Sequence, residues 1–358
     1  MSEAGRASSQ EFEKVLGGAA TSVASFETHE RKLVDKIQHY LHSNPASVPL
    51  IVLIMSVLLF GVMLGSRFFS PFTLTLILQQ VAIVGIVGAA QTLVVLTAGI
   101  ELSVGAIMVL SSVVMGQVVF RYGLPAPIAV LAGFGVGALC GYINGWLIAK
   151  VKLPPFIVTL GTWQIFLATN YLYSANETLR SQDVAAQAPL LQVFGVNFKL
   201  GGAVFTLGVV AMVLLVVVLS YVLNHTAWGR HVYAIGDDPD SAELSGVQVR
   251  KMIISVYVLA GLICALAGWV LIGRLGSVSP QSGQFANIES ITAVVIGGIS
   301  LFGGRGSIMG MLFGALIVGV FNLGLRLVGT DPQWTYMLIG MLIIGAVAVD
   351  QWIRKVSA

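Results

Sequence analysis

Charged residues are scarce in this chain of 358 residues. Lysine and arginine number 19 and aspartate and glutamate 16, together 10% of the chain, whereas apolar residues make up 56%. A soluble domain carries roughly 25% charged residues, so the composition excludes a soluble globular protein and predicts an all-α polytopic membrane protein. The basic residues are dispersed and the net charge is only +3, so no nucleic-acid partner is expected.

Cysteine and histidine are also rare. The two cysteines, Cys140 and Cys264, both fall inside apolar runs. We interpret them as small core residues and not as a disulfide or a metal pair. The polar N-terminal stretch contains His29, His39 and His42, but their spacing does not match a ligand pattern. No metal site is therefore expected.

The motifs of nucleotide binding and covalent catalysis are missing. The chain has no GxxxxGK[ST] pattern, which binds ATP phosphates in P-loop proteins. The glycine-rich GGRGS at 303–307 lacks the lysine, and we interpret it as a tight turn between two membrane segments. No Ser-His-Asp or Cys-His arrangement is visible. We expect a protein that is not an enzyme and that holds no cofactor of its own.

Carboxylates are nearly absent from the apolar segments. Only Glu101 and Glu289 lie near the membrane, both at the ends of predicted spans. A carrier driven by protons or sodium usually has carboxylates at mid-membrane. The scarcity of carboxylates disfavours an ion-driven carrier. Such a carrier and a passive channel remain the two alternatives from other functional classes.

Long apolar runs dominate the rest of the sequence. About 20 apolar residues cross a bilayer as a helix, and the runs predict about ten transmembrane helices. The run at 291–299 is the shortest and is interrupted by glycine. The predicted spans are 48–64, 72–98, a third that ends at residue 120, 128–149, 156–173, 203–223, 252–273, 291–299, 308–327 and 334–349.

The basic residues predict the orientation. With the N-terminus inside, 13 of the 19 lysines and arginines fall on the cytoplasmic side and 6 on the other. Because cytoplasmic loops carry the excess of positive charge, both termini are expected in the cytoplasm. Residues 1–47 are then a polar cytoplasmic segment, and residues 48–354 form the transmembrane domain.

The polar loop at 225–251 is the longest interruption between two long apolar runs. Within it, Asp238 is a good N-cap and Pro239 suits the first helical position. Gly246 is suited to end the helix in the left-handed conformation. So short a helix is not stable alone and must pack against something. The loop is either an ordered surface segment or a docking helix for a soluble partner.

The stretch AGIELSVG at 98–105 contains an isolated carboxylate. Gly99, Ser103 and Gly105 permit close helix packing around Glu101. One hypothesis places Glu101 at a gate or a partner contact. The other makes it a capping carboxylate at the start of the third span.

Side-chain amides are the candidates for contact with a neutral, polyhydroxylated substrate. Such a substrate needs hydrogen-bond donors and acceptors together with an aromatic face such as Trp163. Each amide could instead form a hydrogen bond between helices. The candidates are Gln79, Gln80, Gln91, Asn144, Gln164, Asn170 and Asn322.

Three stretches resemble a known family. They are AGIELSVG at 98–105, HTAWGRHVYAIGDDPDSAELSGV at 225–247 and AVVIGGISLFGGRGSIMGMLFGALIVG at 293–319. Together they are similar to the permease subunits of bacterial monosaccharide ABC importers of the ribose, xylose and fructose type. The resemblance covers residues 48–354 in the same order and spacing. The chain has Glu101 where the family has aspartate, which keeps the acid on a longer side chain.

The resemblance implies a multi-pass permease of the bacterial inner membrane that acts with other subunits. These are a second copy of the chain, a cytoplasmic ATPase that binds ATP and Mg²⁺, and a periplasmic sugar-binding protein. It also implies that the helix in the polar loop docks in a groove of the ATPase, with Ala242, Leu244 and Val247 as apolar contacts. The residues assigned to this coupling are Asp238, Pro239, Ser241, Ala242, Leu244, Gly246 and Val247.

The nature of the cargo stays open between related importers. The same superfamily transports branched-chain amino acids and nucleosides. A charged amino acid would need a fixed countercharge in the cavity, which the spans do not display, and a nucleoside would need more aromatic stacking.

Overall fold

The computed structural model describes residues 46–200, 202–283 and 285–355. Almost all of the predicted N-terminal segment, with its three histidines, lies outside these residues. The described residues form thirteen α-helices and one β-hairpin. The helices are α1 (Ser47–Leu64), α2 (Pro71–Leu96), α3 (Val104–Phe120), α4 (Ala126–Ala149), α5 (Pro155–Ser174), α6 (Ser181–Gln187), α7 (Leu207–His225), α8 (Ala227–Asp237), α9 (Pro239–Leu244), α10 (Val249–Leu275), α11 (Ala286–Ile296), α12 (Ile308–Val328) and α13 (Pro332–Lys355).

The prediction of a polytopic helical membrane protein is confirmed. Within the described residues, six helices are long and apolar enough to cross a membrane, namely α1, α2, α4, α7, α10 and α12. Two further apolar helices, α3 and α11, are shorter. Helix α11 has 11 residues. At about 1.5 Å per residue it is about 17 Å long, which is too short to cross a hydrocarbon core of about 30 Å by itself.

The predicted span at 203–223 is wrong at its start. Residues Asn197–Leu200 (β1) and Ala203–Thr206 (β2) form an antiparallel hairpin, and α7 begins only at Leu207. Phe198 and Phe205 are paired across the two strands, and their rings stack with centroids 5.7 Å apart. Each strand has one phenylalanine, and β2 adds the β-branched Val204 and Thr206, residue types that favour a pleated surface over a helix.

The helices pack closely because small residues occupy their crossings. Helices α4 and α10 meet at Gly137 and Gly261, where a Cβ on Gly137 would lie 2.5 Å from the Gly261 carbonyl oxygen. At Gly141 an added Cβ would overlap the carbonyl oxygen of Tyr257. Glycine is needed at these positions because the two backbones are in contact.

The outer surface of the bundle is apolar. Helix α1 exposes Ile54, Met55, Leu58 and Val62, whereas most of α2 and α12 is buried in the interior. A surface of this kind is compatible with lipid and not with water. The buried helices α2 and α12 are therefore the ones that can surround an internal site.

Candidate functional site

The polar loop at 225–251 contains two helices, where the sequence predicted one. Thr226 caps α8 by accepting a hydrogen bond from the Gly229 amide at 3.2 Å. The Trp228 indole donates to the Ser255 hydroxyl of α10 at 3.0 Å, and the Tyr233 hydroxyl donates to the Gly306 carbonyl at 2.9 Å. Helix α8 is thus fixed to the transmembrane bundle through its own side chains.

The predicted ends of α9 are confirmed. One carboxylate oxygen of Asp238 accepts from the amides of Asp240 and Ser241 at 3.0 and 3.2 Å, and the other accepts from the Ser241 hydroxyl at 2.6 Å. These hydrogen bonds, first of all the one from the Ser241 hydroxyl, lower the pKa of Asp238 below its usual range. Pro239 occupies the first position, and Gly246 follows the helix with a φ of +88°.

The three apolar residues of the predicted docking face differ in exposure. Leu244 is 90% exposed and Val247 is partly buried. Ala242 is only 5% exposed, so it packs against its own chain. A partner that docked on α9 would therefore contact Leu244 and, in part, Val247, whereas Ala242 holds the helix in place.

The C-terminal end of α8 contacts two other parts of the bundle directly. A Cβ added to Gly236 would overlap the carbonyl oxygen of Leu96, at the end of α2, and would lie 2.5 Å from the Gly304 nitrogen. The Gly304 amide in turn donates to the Leu96 carbonyl at 3.0 Å. We call this three-way contact of Gly236, Leu96 and Gly304 the glycine joint.

The glycine-rich segment is the tight turn that the sequence predicted. It joins α11 to α12, and Gly303, Gly304 and Gly306 have φ angles of +85°, +69° and +133°. The Ser300 amide closes the turn on the Arg305 carbonyl at 3.0 Å. Only glycine adopts these conformations without strain, so the turn brings backbone against backbone at α8.

The carboxylate of Glu101 is 1% exposed and fully hydrogen-bonded. One of its oxygens accepts from the amide and the hydroxyl of Ser103 at 2.7 and 2.5 Å, and the other accepts from the Asn144 side-chain amide at 2.7 Å. Ser103 is the residue that precedes α3. Glu101 thus ties the start of α3 to α4.

The two glycines of this motif are needed for close packing. An added Cβ would lie 2.8 Å from the Tyr257 hydroxyl at Gly99, and 2.5 Å from the Asn287 side-chain oxygen at Gly105. Asn287 also donates to the Leu102 carbonyl at 3.2 Å, which links this junction to α11.

The predicted amide candidates do not converge on one site. Gln91, Asn144 and Asn170 are buried in the helix packing, and Asn170 donates to the Pro280 carbonyl at 2.9 Å. Gln164 is exposed on the outside of α5. The remaining candidates are partly buried, namely Gln79, Gln80, Trp163 and Asn322.

Two of the candidates, Gln80 and Asn322, share a cavity of about 570 Å³. It lies between α2, α11, α12 and α13, and its other charged or polar lining residues include Glu289, Thr292, Arg326 and Thr330. Glu289 was expected near the membrane, whereas Arg326 was not among the predicted site residues. The available signal was an acidic and a basic residue at the ends of two neighbouring apolar runs.

The cavity and the polar loop lie at opposite ends of the bundle. Helix α10 begins at Val249, within the last residues of the polar loop, and ends at Leu275, after 27 residues, or about 40 Å of helix. The first turn of α11, with Glu289, follows from that far end, and Arg326 lies in the last turn of α12.

Comparison with known proteins identifies the family. The family model described as branched-chain amino acid transport system, permease component, matches residues 73–347. The chain is 75% identical to the fructose import permease protein of Rhizobium meliloti over 98% of its length and 97% of that protein. It is 38% identical to the ribose import permease protein of Bacillus subtilis, over 86% and 91% of the two chains.

The ribose import permease protein of Escherichia coli strain K12 is 36% identical, over 80% of this chain and 88% of that protein. No solved structure matches the chain. The relatives are permease components of transport systems, so this chain is a transport protein and not an enzyme, as expected. The resemblance is confirmed: the chain belongs to the family of transport-system permease components described as branched-chain amino acid transport system, permease component.

Proposed function

We propose that this chain is the transmembrane permease subunit of an ATP-driven importer that carries a monosaccharide across the bacterial inner membrane. The observation that carries the proposal is the 75% identity, over nearly the full length of both chains, to a fructose import permease. The ribose import permeases support the same class of cargo. Fructose is therefore the first sugar to test.

Three partners belong to this proposal. A cytoplasmic ATPase binds ATP and Mg²⁺ and supplies the energy, and a periplasmic binding protein delivers the sugar. A second copy of the chain completes the translocation pathway. The permease itself contributes no catalytic residue and no cofactor.

In this proposal the chain crosses the membrane about ten times with both termini in the cytoplasm. Residues 1–47 are a cytoplasmic segment and residues 48–354 the permease domain. The six long apolar helices are joined by α3, α5, α11 and α13. Helix α11 crosses together with the turn at 300–306, because its 11 residues cover only part of the bilayer.

Helix α9 is the proposed contact with the ATPase. It is a short helix with a side-chain cap at Asp238, and its last residue, Leu244, is 90% exposed on the polar loop. In this proposal the exposed Leu244 side chain supplies the apolar surface that the ATPase buries on docking. Val247, partly exposed next to it, extends the same face.

Helix α8 is the proposed transmission element. It follows α7 directly and precedes α9, and its end contacts α2 and the α11–α12 turn at the glycine joint. Backbone atoms in direct contact cannot rotate aside, whereas a long side chain can change its rotamer. When ATP drives closure of the ATPase, a displacement of α9 therefore moves α2, α11 and α12 as rigid elements, which switches access to the pathway.

The Glu101 motif is proposed to hold the pathway closed at the end near the glycine joint. The segment 97–103 begins directly after Leu96, and an added Cβ on Gly303 would lie 2.8 Å from the Ala98 Cβ. Movement at the joint is thus passed to the hydrogen bonds of Glu101 with Ser103 and Asn144.

A zwitterionic amino acid is the second candidate cargo. The sequence displayed no countercharge within a span, but Glu289 and Arg326 line one cavity and offer both signs. The family description names branched-chain amino acids.

Uptake by the permease, its ATPase and its binding protein in proteoliposomes tests the proposal. Radiolabelled fructose, ribose and leucine are offered separately, with and without internal ATP. ATP-dependent uptake of a sugar is expected. Uptake of leucine alone contradicts the sugar assignment, and uptake that survives without ATP but collapses with an uncoupler indicates an ion-coupled carrier.

A further inference from the structure

The cavity at the end away from the polar loop is built from helices that are far apart in sequence. Gln80 comes from α2, Glu289 from α11, and Asn322 and Arg326 from α12. Its volume of about 570 Å³ falls within the range of about 300–1,000 Å³ that is typical of small-molecule sites.

The two threonine hydroxyls of this cavity donate to backbone carbonyls of their own segments, Thr292 to Ile288 at 2.6 Å and Thr330 to Leu325 at 2.8 Å. The four longer polar side chains have no such partner among the described residues. Within the part of the chain that the structure describes, none of the side chains of Gln80, Glu289, Asn322 and Arg326 forms a hydrogen bond or a salt bridge. Arg274, at the end of α10, interacts with Glu289 only through longer-range electrostatics. Gln80, Glu289 and Asn322 are half-buried, and Arg326 is exposed at the end of α12. Unpaired polar groups within a membrane domain are costly, and this cost points to a role for them in the pathway of a transported substrate.

Other amides of the same helical bundle behave differently. Asn144 donates to Glu101 at 2.7 Å, Asn170 to the Pro280 carbonyl at 2.9 Å, and Asn287 to the Leu102 carbonyl at 3.2 Å. These amides join helices, as most intramembrane amides do. The side-chain oxygens of Asn144 and Asn170 are buried without a partner, but each of these amides donates one hydrogen bond between parts of the bundle. The four cavity side chains differ from them because, among the described residues, they form no hydrogen bond at all.

We propose that this cavity is the site where the permease binds the monosaccharide on entry, with Gln80, Glu289, Asn322 and Arg326 as its hydroxyl-binding groups. The assignment rests on the proposed function for the class of cargo. The carboxylate of Glu289 accepts hydrogen bonds from sugar hydroxyls, and the guanidinium of Arg326 donates them. The amides of Gln80 and Asn322 do both.

The remaining lining suits the apolar face of a sugar ring. Phe285, Ile288 and Val318 contribute carbon surface on the α11 and α12 sides of the cavity. A sugar presents hydroxyls at its edge and C–H groups on its faces, so a mixed lining of a few convergent polar groups and apolar side chains matches it.

The cavity also has a mechanical connection to the glycine joint. Helix α2 contributes Gln80 to the cavity and Leu96 to the joint, about 24 Å apart along the helix. The α11–α12 turn contributes Gly304 to the joint, while the two helices it connects carry Glu289 and Asn322. Movement at the joint therefore changes the spacing of the groups that hold the sugar, which lets it leave.

Uptake in proteoliposomes with the complete importer tests the site, and the neighbouring glutamines of α2 supply a matched pair. Gln80 lines the cavity and Gln79 does not. We compare Gln80→Ala, Glu289→Gln and Asn322→Ala with the control Gln79→Ala. The probes are fructose, analogues that each lack one hydroxyl, and leucine. Assembly is checked by the amount of ATPase that co-purifies with each variant.

We expect the three cavity variants to lower fructose uptake by about tenfold, as loss of a hydrogen bond to a buried or charged group does. They should lower uptake of one deoxy analogue much less, because the hydroxyl that the deleted group binds is missing from that analogue. Gln79→Ala should behave as the wild type for every probe. This change in selectivity cannot arise from a purely structural role.

Three results overturn the assignment. Fructose uptake within twofold of wild type in all three cavity variants means that the sugar does not depend on this site. An equal loss for every analogue together with loss of the ATPase means that the residues are structural. If the wild-type importer transports leucine and no sugar, both the proposed function and this assignment fail, whereas the first two results leave the proposed function intact.

Discussion

The two ends of the helical bundle are built in opposite ways. At the α8–α9 end, backbone meets backbone at the glycine joint, and the polar groups of Asp238 and Glu101 have their hydrogen-bond partners. At the cavity end, side chains of both charge signs face open space without partners in the described residues. In our proposal, the end with direct backbone contacts transmits displacement, and the open end with free polar groups binds the sugar.

Three helices connect the two ends. Helices α2, α11 and α12 each reach the glycine joint, directly or through the 300–306 turn, and each contributes to the cavity. The comparison therefore predicts two classes of variant. Changes at the α8–α9 end should alter coupling to ATP without altering sugar selectivity, and changes at the cavity should do the reverse.

The largest effect is expected for Gly236→Ala. The new Cβ overlaps the Leu96 carbonyl, and since its neighbours are backbone atoms they cannot simply rotate away. Such overpacking costs about 1–3 kcal/mol. We expect sugar uptake to fall by more than about tenfold. Gly135→Ala is the control, because nothing lies within 4 Å of its Cβ position. Wild-type uptake by Gly236→Ala would show that the joint transmits nothing.

Leu244→Asp should have the next largest effect. Leu244 is 90% exposed, so the change leaves the permease folded while a charge replaces the apolar tip of α9. We expect the ATPase to be lost on co-purification, with uptake reduced by about tenfold, as is typical of an interface hot spot. Ala242→Asp is a less clean test, because Ala242 is buried in its own chain.

The neighbouring Glu243→Gln serves as the control for Leu244→Asp. It changes an exposed charge on the same short helix and should leave ATPase binding unchanged. If the ATPase co-purifies in normal amounts with Leu244→Asp, α9 is not the contact with the ATPase.

Glu101→Gln should have a moderate effect. The carboxylate accepts three hydrogen bonds, and an amide in its place puts a donor against one of these donors. We expect uptake to fall several-fold, with the ratio of sugar transported to ATP hydrolysed reduced and sugar selectivity unchanged. Glu101→Asp, which keeps the acid, should retain more activity. If both variants take up sugar at equal, near-wild-type rates, Glu101 acts only as a helix cap and has no role in the gate.

The smallest effect is expected for Asp238→Asn. Asparagine caps helices nearly as well as aspartate, so uptake at neutral pH should stay close to wild type. Hydrogen bonds from Ser241 lower the pKa of Asp238 in the folded protein. The stabilisation of α9 by this carboxylate is therefore complete at neutral pH and is lost as the pH falls through the lowered pKa.

Hydrogen exchange of the Asp240 and Ser241 amides in the wild type and in Asp238→Asn, measured from neutral to acidic pH, checks this prediction. Protection beyond the intrinsic pH dependence of exchange should decrease on acidification in the wild type and stay constant in the asparagine variant. The same decrease in both proteins would assign the pH dependence to another group.

The sequence alone determined the membrane class, most of the helices and the ends of α9. These features depend on local signals: apolar runs of sufficient length, a capping aspartate, a proline at the first helical position and a glycine after the last. The hairpin at 197–206 was missed because the apolar residues of β2 were assigned to the span that follows them in the sequence. Helix α8 was missed because the loop was treated as one polar segment.

Only the tertiary structure decided which of the polar residues belong together. It separated Asn144 and Asn170, which pack helices, from Gln80 and Asn322, which line the cavity, although all four are amides in apolar runs. It also showed that the GGRGS turn forms one side of the glycine joint. A hydrogen-bond partner or an empty space beside a side chain comes from helices distant in sequence, so no local pattern contains it.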